Sequence, residues 1–222
     1  MKVYFVRHGE TDWNKTGRLQ GRTNIPLNEN GRYVAELTRD ALSNVQFDVA
    51  ISSPLIRAKE TAQILLEGRD VVLKEDERII EINFGEYEGT AKKDADECIQ
   101  KFFKAPGEYQ AVRGAESLES LFQRAEEFLK ELFYNQDYQN STIMVTAHGA
   151  IINALICVIK GYEVAELWKD GLHGNCGVTI VDVECGRPKI LKQGILLYAS
   201  KLGVKFSWID KKTEGEKKND PL

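Results

Sequence analysis

Short runs of β-branched, aromatic and aliphatic residues alternate along this chain with amphipathic segments of helical length, and that alternation narrows the possible folds more than any other feature. Lys2-Val-Tyr-Phe-Val6, Phe47-Asp-Val-Ala-Ile51 and Thr142-Ile-Met-Val-Thr-Ala147 read as strands buried on both faces. Helical spacing appears over 28–42 (Val34, Leu37, Ala41, Leu42) and over 53–66 (Leu55, Ala58, Ala62, Leu65, Leu66). It is clearest over 117–133, where Ser117 supplies an N-cap and Leu118, Leu121, Phe122, Ala125, Phe128, Leu129 and Leu132 share one face. Such alternation predicts an α/β fold in three layers, a mostly parallel central sheet with helices on both faces. The runs 178–183 and 189–197 flank Glu184-Cys-Gly-Arg-Pro188, which predicts a hairpin and so an antiparallel edge element. No Pro/Gly/Ser-rich linker interrupts the interior, so residues 1–209 are expected to form one domain, followed by a charged, weakly ordered tail over 210–222.

The chain carries 30 Lys+Arg against 34 Asp+Glu, a net charge of −4, with no dense basic stripe. Nucleic acid and anionic membrane are therefore not expected as main partners. The apolar run 3–6 is too short for a signal-peptide core, and 150–159, which contains Asn153, falls short of a membrane span, so a cytoplasmic location is expected. Cys98, Cys157, Cys176 and Cys185 form no C-x-x-C pair and read as reduced, buried thiols. If 177–184 is one strand, Cys176 and Cys185 stand roughly 30 Å apart, beyond disulfide reach.

Ligands of parallel α/β sheets collect beyond the carboxyl ends of the strands, where helix N-termini present free N–H groups. Three such corners here carry basic groups: Arg7-His8-Gly9, Ser52-Ser-Pro-Leu-Ile-Arg57 and His148-Gly149. In the second, Ser53 reads as the N-cap and Pro54 as the first helical residue, which puts Arg57 in or next to the opening turn. The helix dipole opposes a cation there, and an anion above the corner resolves the conflict by attracting both. A surface ion pair from Arg57 to Glu60 is the competing reading. Two arginines, two imidazoles and several glycines at adjacent strand ends suit a tetrahedral oxyanion, foremost phosphate.

Neither a G-x-S-x-G elbow nor a G-x-x-x-x-G-K-[ST] loop nor H-E-x-x-H occurs, and three histidines are too few for a His-rich metal cluster. His8 is the leading nucleophile, since neutral imidazole can attack phosphorus. Glu81, among Ile80, Ile82 and Phe84, is the leading acid because an apolar setting favours a protonated carboxyl; Glu86 and Glu88 are rivals in the same loop.

Six blocks then carry a resemblance. Arg7-His-Gly-Glu-Thr-Asp-Trp-Asn14, Gly17-Arg-Leu-Gln-Gly21, Pro26-Leu27, Ser52-Ser-Pro-Leu-x-Arg-Ala-x-x-Thr-Ala62, Glu81-x-x-Phe-Gly-x-x-Glu-Gly89 and His148-Gly149, with a later Asn175-Cys-Gly-Val178, resemble the histidine phosphatase superfamily, the phosphoglycerate mutase-like proteins, in order and spacing. The resemblance implies that His8 is phosphorylated and that Arg7, Arg57 and His148 hold the transferring group. It further implies phosphate contacts from Asn14, Gln20, Gly21 and Gly149, a proton donor at Glu81, and no metal or other cofactor. Asn24 stands where many relatives carry Asp, a departure that bears on loop structure.

Within that resemblance a phosphatase is favoured over a mutase primed by bisphosphoglycerate. Residues 90–113 hold Lys92, Lys93, Lys101, Lys104 and a single Arg113, with no Arg-Arg pair for a substrate carboxylate, and Glu86 and Glu88 would repel a second anion if they faced the pocket. A non-catalytic phospho-ligand module ranks lowest, since no catalytic member is missing. The expected partner is a small phosphorylated metabolite, with specificity set by a rim of Arg22, the 86–88 loop and 92–113. Trp13 reads equally as a ligand contact or a packed aromatic, His173 as surface or supporting structure, and oligomeric state is silent.

Overall fold

A computed structural model describes residues 1–199; the charged stretch from Asp210 lies outside them. Strands β1 (Lys2–Arg7), β2 (Val49–Ser52), β3 (Leu73–Glu75), β4 (Thr142–Ala147), β5 (Val178–Glu184) and β6 (Arg187–Ile195) form one sheet in the order β3-β2-β4-β1-β5-β6. The β1–β4, β2–β4 and β2–β3 pairs are parallel, while β1–β5 and β5–β6 are antiparallel, so the mixed edge falls where the hairpin is expected.

Side-chain alternation divides the sheet between two layers. Val3, Phe5, Ile143 and Val145 pack against α5 (Leu118–Tyr134) and α6 (Gly149–Lys160), whereas Tyr4, Val6 and Met144 meet the ends of α2 (Glu29–Ala41) and α3 (Ile56–Leu65). Two further helices, α1 (Asp12–Lys15) and α4 (Glu97–Lys104), lie in connections. Ser117 caps α5 by accepting from Ser120 N, and Asn28 caps α2 by accepting from Gly31 N.

Four sequence expectations are corrected. Helix α3 begins at Ile56, not Pro54: Asn24 Oδ1, from 32 residues upstream, accepts from Ile56 N at 2.7 Å, while Ser53 Oγ meets His148. The hairpin turn is only Cys185-Gly186, both at positive φ (50° and 74°), as a two-residue turn demands, and Pro188 sits in the edge strand opposite Val183. Not all the cysteines are buried, since Cys185 is exposed in that turn and Cys98 half-buried; all four are free. Strand β2 starts at Val49, with Phe47 packed edge-on against Tyr4 before it. No helix among the described residues is long and apolar enough to cross a membrane.

The registers Arg7↔Ala147 and Ser52↔Thr146 bring the carboxyl ends of β1, β2 and β4 level, so their following residues form one shelf.

Candidate active site

The first corner leaves β1 at Arg7-His8-Gly9. His8 N donates to Ala147 O at 2.9 Å, tying the end of β1 to β4. The His8 ring is buried, and its Nδ1 lies 2.7 Å from Gly9 O. A carbonyl only accepts, so Nδ1 carries the proton and the Nε2 lone pair is left free. Burial, then the positive charges of Arg57 and Arg7, push the His8 pKa well below its ordinary 6.5, which keeps the ring neutral. Arg7 beside it is buried too. One of its guanidinium nitrogens donates to His173 O, while Nε is buried without a protein partner.

The second and third corners are joined by one side chain. Arg57 is completely buried, which rules out the expected surface pair; Glu60 pairs instead with Arg32. Burying an unpaired guanidinium costs several kcal/mol, and here three acceptors offset it. Arg57 Nη2 donates to Gly21 O at 2.6 Å, Nη1 to Thr23 O at 2.8 Å, and Nε to His148 Nδ1 at 3.1 Å. Burial lowers the Arg57 pKa to about 10, still far above neutrality. Because Arg57 can only donate, His148 Nδ1 accepts, and its Nε2–H donates to Ser53 Oγ at 2.7 Å. Both His148 nitrogens are therefore engaged, and its ring stands 5.2 Å from that of His8, one layer behind the pocket wall. Burial, Arg57 and His8 push its pKa well below 6.5.

A single cleft is lined by Arg7, His8, Asn14, Gln20, Gly21, Arg57, Glu81 and Gly149. Asn14 Oδ1 accepts from Thr11 N at 3.1 Å, which turns its amide nitrogen away from Thr11. Gln20 Oε1 accepts from the Thr11 hydroxyl at 2.9 Å. Gly21 has φ +49°, where a side chain would be strained, and a Cβ there would fall 2.0 Å from Glu88 Oε1 and push that carboxylate aside.

Glu81 differs from the sequence reading in its surroundings. Ile82 and Phe84 point into the core, but the Glu81 carboxylate accepts from Ala150 N and Ile151 N in the first turn of α6, both at 3.1 Å, and from Ile82 N at 3.0 Å. Its setting is thus a polar cradle rather than an apolar one, because main-chain direction rather than neighbouring residue type decides where a carboxylate points. Glu86 and Glu88 do not line the cleft. Glu88 accepts from Arg22 N, Thr23 N, Thr23 Oγ1 and Phe84 N, bracing the Gly21 loop, so the repulsion expected from these carboxylates does not arise.

The rim also departs from expectation. Arg22 ties the acid loop from behind, donating to Glu81 O at 3.2 Å and pairing with Glu116. Trp13 packs over Gly89 rather than lining the cleft. The rim is built from Arg18, Phe84, Lys92, Phe102, Phe103, Trp168 and Leu172, of which sequence reading anticipated only the 92–113 members. Lys92 Nζ lies 4.9 Å from the centre of the Phe103 ring, which stacks on Trp168 at 6.0 Å. Alternating arginine, lysine and aromatic residues with no motif of their own left no local signal for this surface.

The cleft has cations on several sides, an orphaned buried donor at Arg7 Nε, one carboxylate, and a neutral imidazole with a free lone pair. Such a set can hold a tetrahedral oxyanion and attack it. Among the described residues no group of three His, Cys, Asp or Glu side chains is placed to hold a metal ion.

A family model for the histidine phosphatase superfamily (branch 1) matches residues 3–195. Phosphoserine phosphatase 1 of Hydrogenobacter thermophilus is 30% identical over 208 residues, covering 92% of this chain and 97% of that protein. The uncharacterized phosphatase PhoE of Bacillus subtilis is 35% identical over 174 residues, 78% of this chain and 84% of that protein. Among solved structures, Bacillus stearothermophilus YhfR matches with a TM-score of 0.82 at 29% identity, covering 88% of this chain and 98% of its own.

Proposed function

The chain belongs to the histidine phosphatase superfamily and is a phosphatase, and from that premise we propose that it hydrolyses small phosphate monoesters, without a metal, through a phosphohistidine on His8. The observation that carries this reading is the free Nε2 of a neutral His8 set between two buried arginines. In the first half-reaction Nε2 attacks phosphorus, the P–O bond to the leaving group breaks, and Glu81 gives that oxygen its proton. In the second, Glu81 takes a proton from water as the water oxygen attacks phosphorus, the P–N bond breaks, and inorganic phosphate leaves. Each turnover returns Glu81 and His8 to the states in which they began.

Phosphoryl transfer needs positioning and charge stabilisation more than covalent assistance. Arg7 supplies its orphaned Nε to the phosphoryl oxygens, and Arg57 supplies charge while holding the Gly21-Thr23 loop. His148 holds Arg57; Asn14, Gln20 and the backbone at Gly21 and Gly149 complete the oxyanion cradle. The leaving group lies against Phe103, Trp168 and Leu172, with Lys92 at its edge. A panel of phosphate esters tests the proposal: phosphate is released from several of them in excess EDTA, with little conversion of 3-phosphoglycerate to 2-phosphoglycerate, bisphosphoglycerate present or absent. Mutase turnover exceeding phosphate release, metal-dependent activity, or ligand binding without turnover contradicts it.

A further inference from the structure

His173 is the one histidine the proposed reaction does not use, and it is nearly as buried as the other two, at 4% exposure. Its hydrogen bonds fix one direction of donation throughout. Asn153 Nδ2 donates to Leu167 O at 3.0 Å and Gly171 O at 2.8 Å, so Asn153 Oδ1 is left to accept from His173 Nδ1 at 3.2 Å. Thr179 Oγ1 already accepts from Gly194 N at 2.9 Å, so its hydroxyl proton is free for His173 Nε2 at 2.5 Å. Every donor then meets an acceptor only if the ring is neutral and protonated on Nδ1. Burial agrees, lowering the His173 pKa to about 4.

The segment anchored by this ring grips the first corner of the site. His173 O accepts from the Arg7 guanidinium, Asn175 Nδ2 donates to His8 O at 3.0 Å and Gly9 O at 3.1 Å, and Cys176 N donates to Arg7 O at 3.1 Å. Cys176 is held at a φ of +54°, so the backbone of this strap is not in a conformation it would choose by itself. We infer that His173 is a positioning residue: its ring, locked between Asn153 and Thr179, fixes the carbonyl that aims Arg7 at the phosphoryl group. The inference rests on Arg7 being a phosphate ligand, as proposed above.

The test combines inorganic phosphate binding by calorimetry with steady-state phosphate release from one ester, so that failure of the phosphatase reading, which would leave the unaltered protein without phosphate release in excess EDTA, is told apart from failure of this one, which is read in the variants' phosphate affinity. His173→Leu is expected to weaken phosphate binding and lower kcat/KM by about 10- to 100-fold, the cost of misplacing a charged group by a fraction of an ångström to an ångström. His173→Gln, whose amide can donate to Asn153 and accept from Thr179, is expected to recover most of that loss. In an Arg7→Lys background His173→Leu is expected to cost less than about threefold, because effects that act through one residue do not add. If His173→Leu fails to fold, Thr179→Val, which cuts the chain of bonds at one atom, is read by the same criteria. Unchanged phosphate affinity in a folded variant, no recovery with Gln, or a full loss in the Arg7→Lys background overturns the inference.

Discussion

At the floor of the cleft Arg7, His8 and Arg57, with His148 directly behind them, are buried and tied by directional hydrogen bonds to backbone carbonyls, to Ser53 and to one another. At the rim, Lys92, Phe103, Trp168 and Leu172 are half-buried or exposed and meet mainly through ring and apolar contacts. The contrast separates two tasks. A fixed cluster of donors stabilises charge because it does not have to reorganise as charge moves, whereas a surface of stacked rings can accept leaving groups of different shape.

Substitution at the floor should therefore be severe and indifferent to the ester, and substitution at the rim mild and selective. The largest effect is expected for Arg57→Met, which removes the charge proposed to face phosphate and orphans Gly21 O and Thr23 O; kcat/KM should fall by about a thousandfold or more on every substrate. Arg57→Lys should not restore it, since one ammonium cannot replace a fork that reaches two carbonyls and an imidazole. A loss confined to some esters would erase the distinction between floor and rim.

Next comes Glu81→Gln, with about a hundredfold loss on alkyl phosphates and a much smaller one on p-nitrophenyl phosphate, whose leaving group barely needs a proton. Equal loss on both would remove Glu81 from the donor role.

The floor should also be visible in stability. His8, His148 and His173 all have pKa values held down by burial in the folded protein, so below 6.5 the unfolded chain binds protons that the folded one does not. Stability is then fully present above pH 6.5 and is lost as the pH falls, His173 alone accounting for about 3 kcal/mol between pH 6.5 and 4. Melting temperature measured against pH should drop across that window, and less steeply in His173→Gln. A flat profile would mean that these rings are not buried neutral. The smallest effect is expected at the rim: Trp168→Ala should raise KM for a bulky ester by about fivefold, roughly 1 kcal/mol, and leave inorganic phosphate affinity unchanged. An equal change in both would place Trp168 functionally with the floor.

The same division decided what could be read before the structure. Arg7-His8-Gly9, Ser53 to Arg57 and His148-Gly149 are contiguous, each at a strand-to-helix corner, and parallel pairing of β1, β2 and β4 then brings them together without further instruction. The strands and the long helices were legible for the same reason, because periodicity is local. The start of α3 was not, since Asn24 caps it from another loop, nor was the polar cradle of Glu81, which depends on where α6 begins. The rim draws on positions 18, 84, 92, 102, 103, 168 and 172, which follow no helical or strand period, and β3 is three residues long with little apolar pattern. Whether His173 was surface or support could not be read from its neighbours, because its partners lie at Asn153 and Thr179.

The central claim is that Gly9 O holds the proton on His8 Nδ1 and so offers Nε2 to phosphorus. Rapid acid-free quenching during turnover of a labelled phosphate ester, followed by mapping of the base-stable, acid-labile adduct, tests it most directly. The prediction is a phosphoryl group on His8, bonded through Nε2 and absent from His8→Ala; label on Nδ1, on another residue, or turnover that persists in His8→Ala would contradict it.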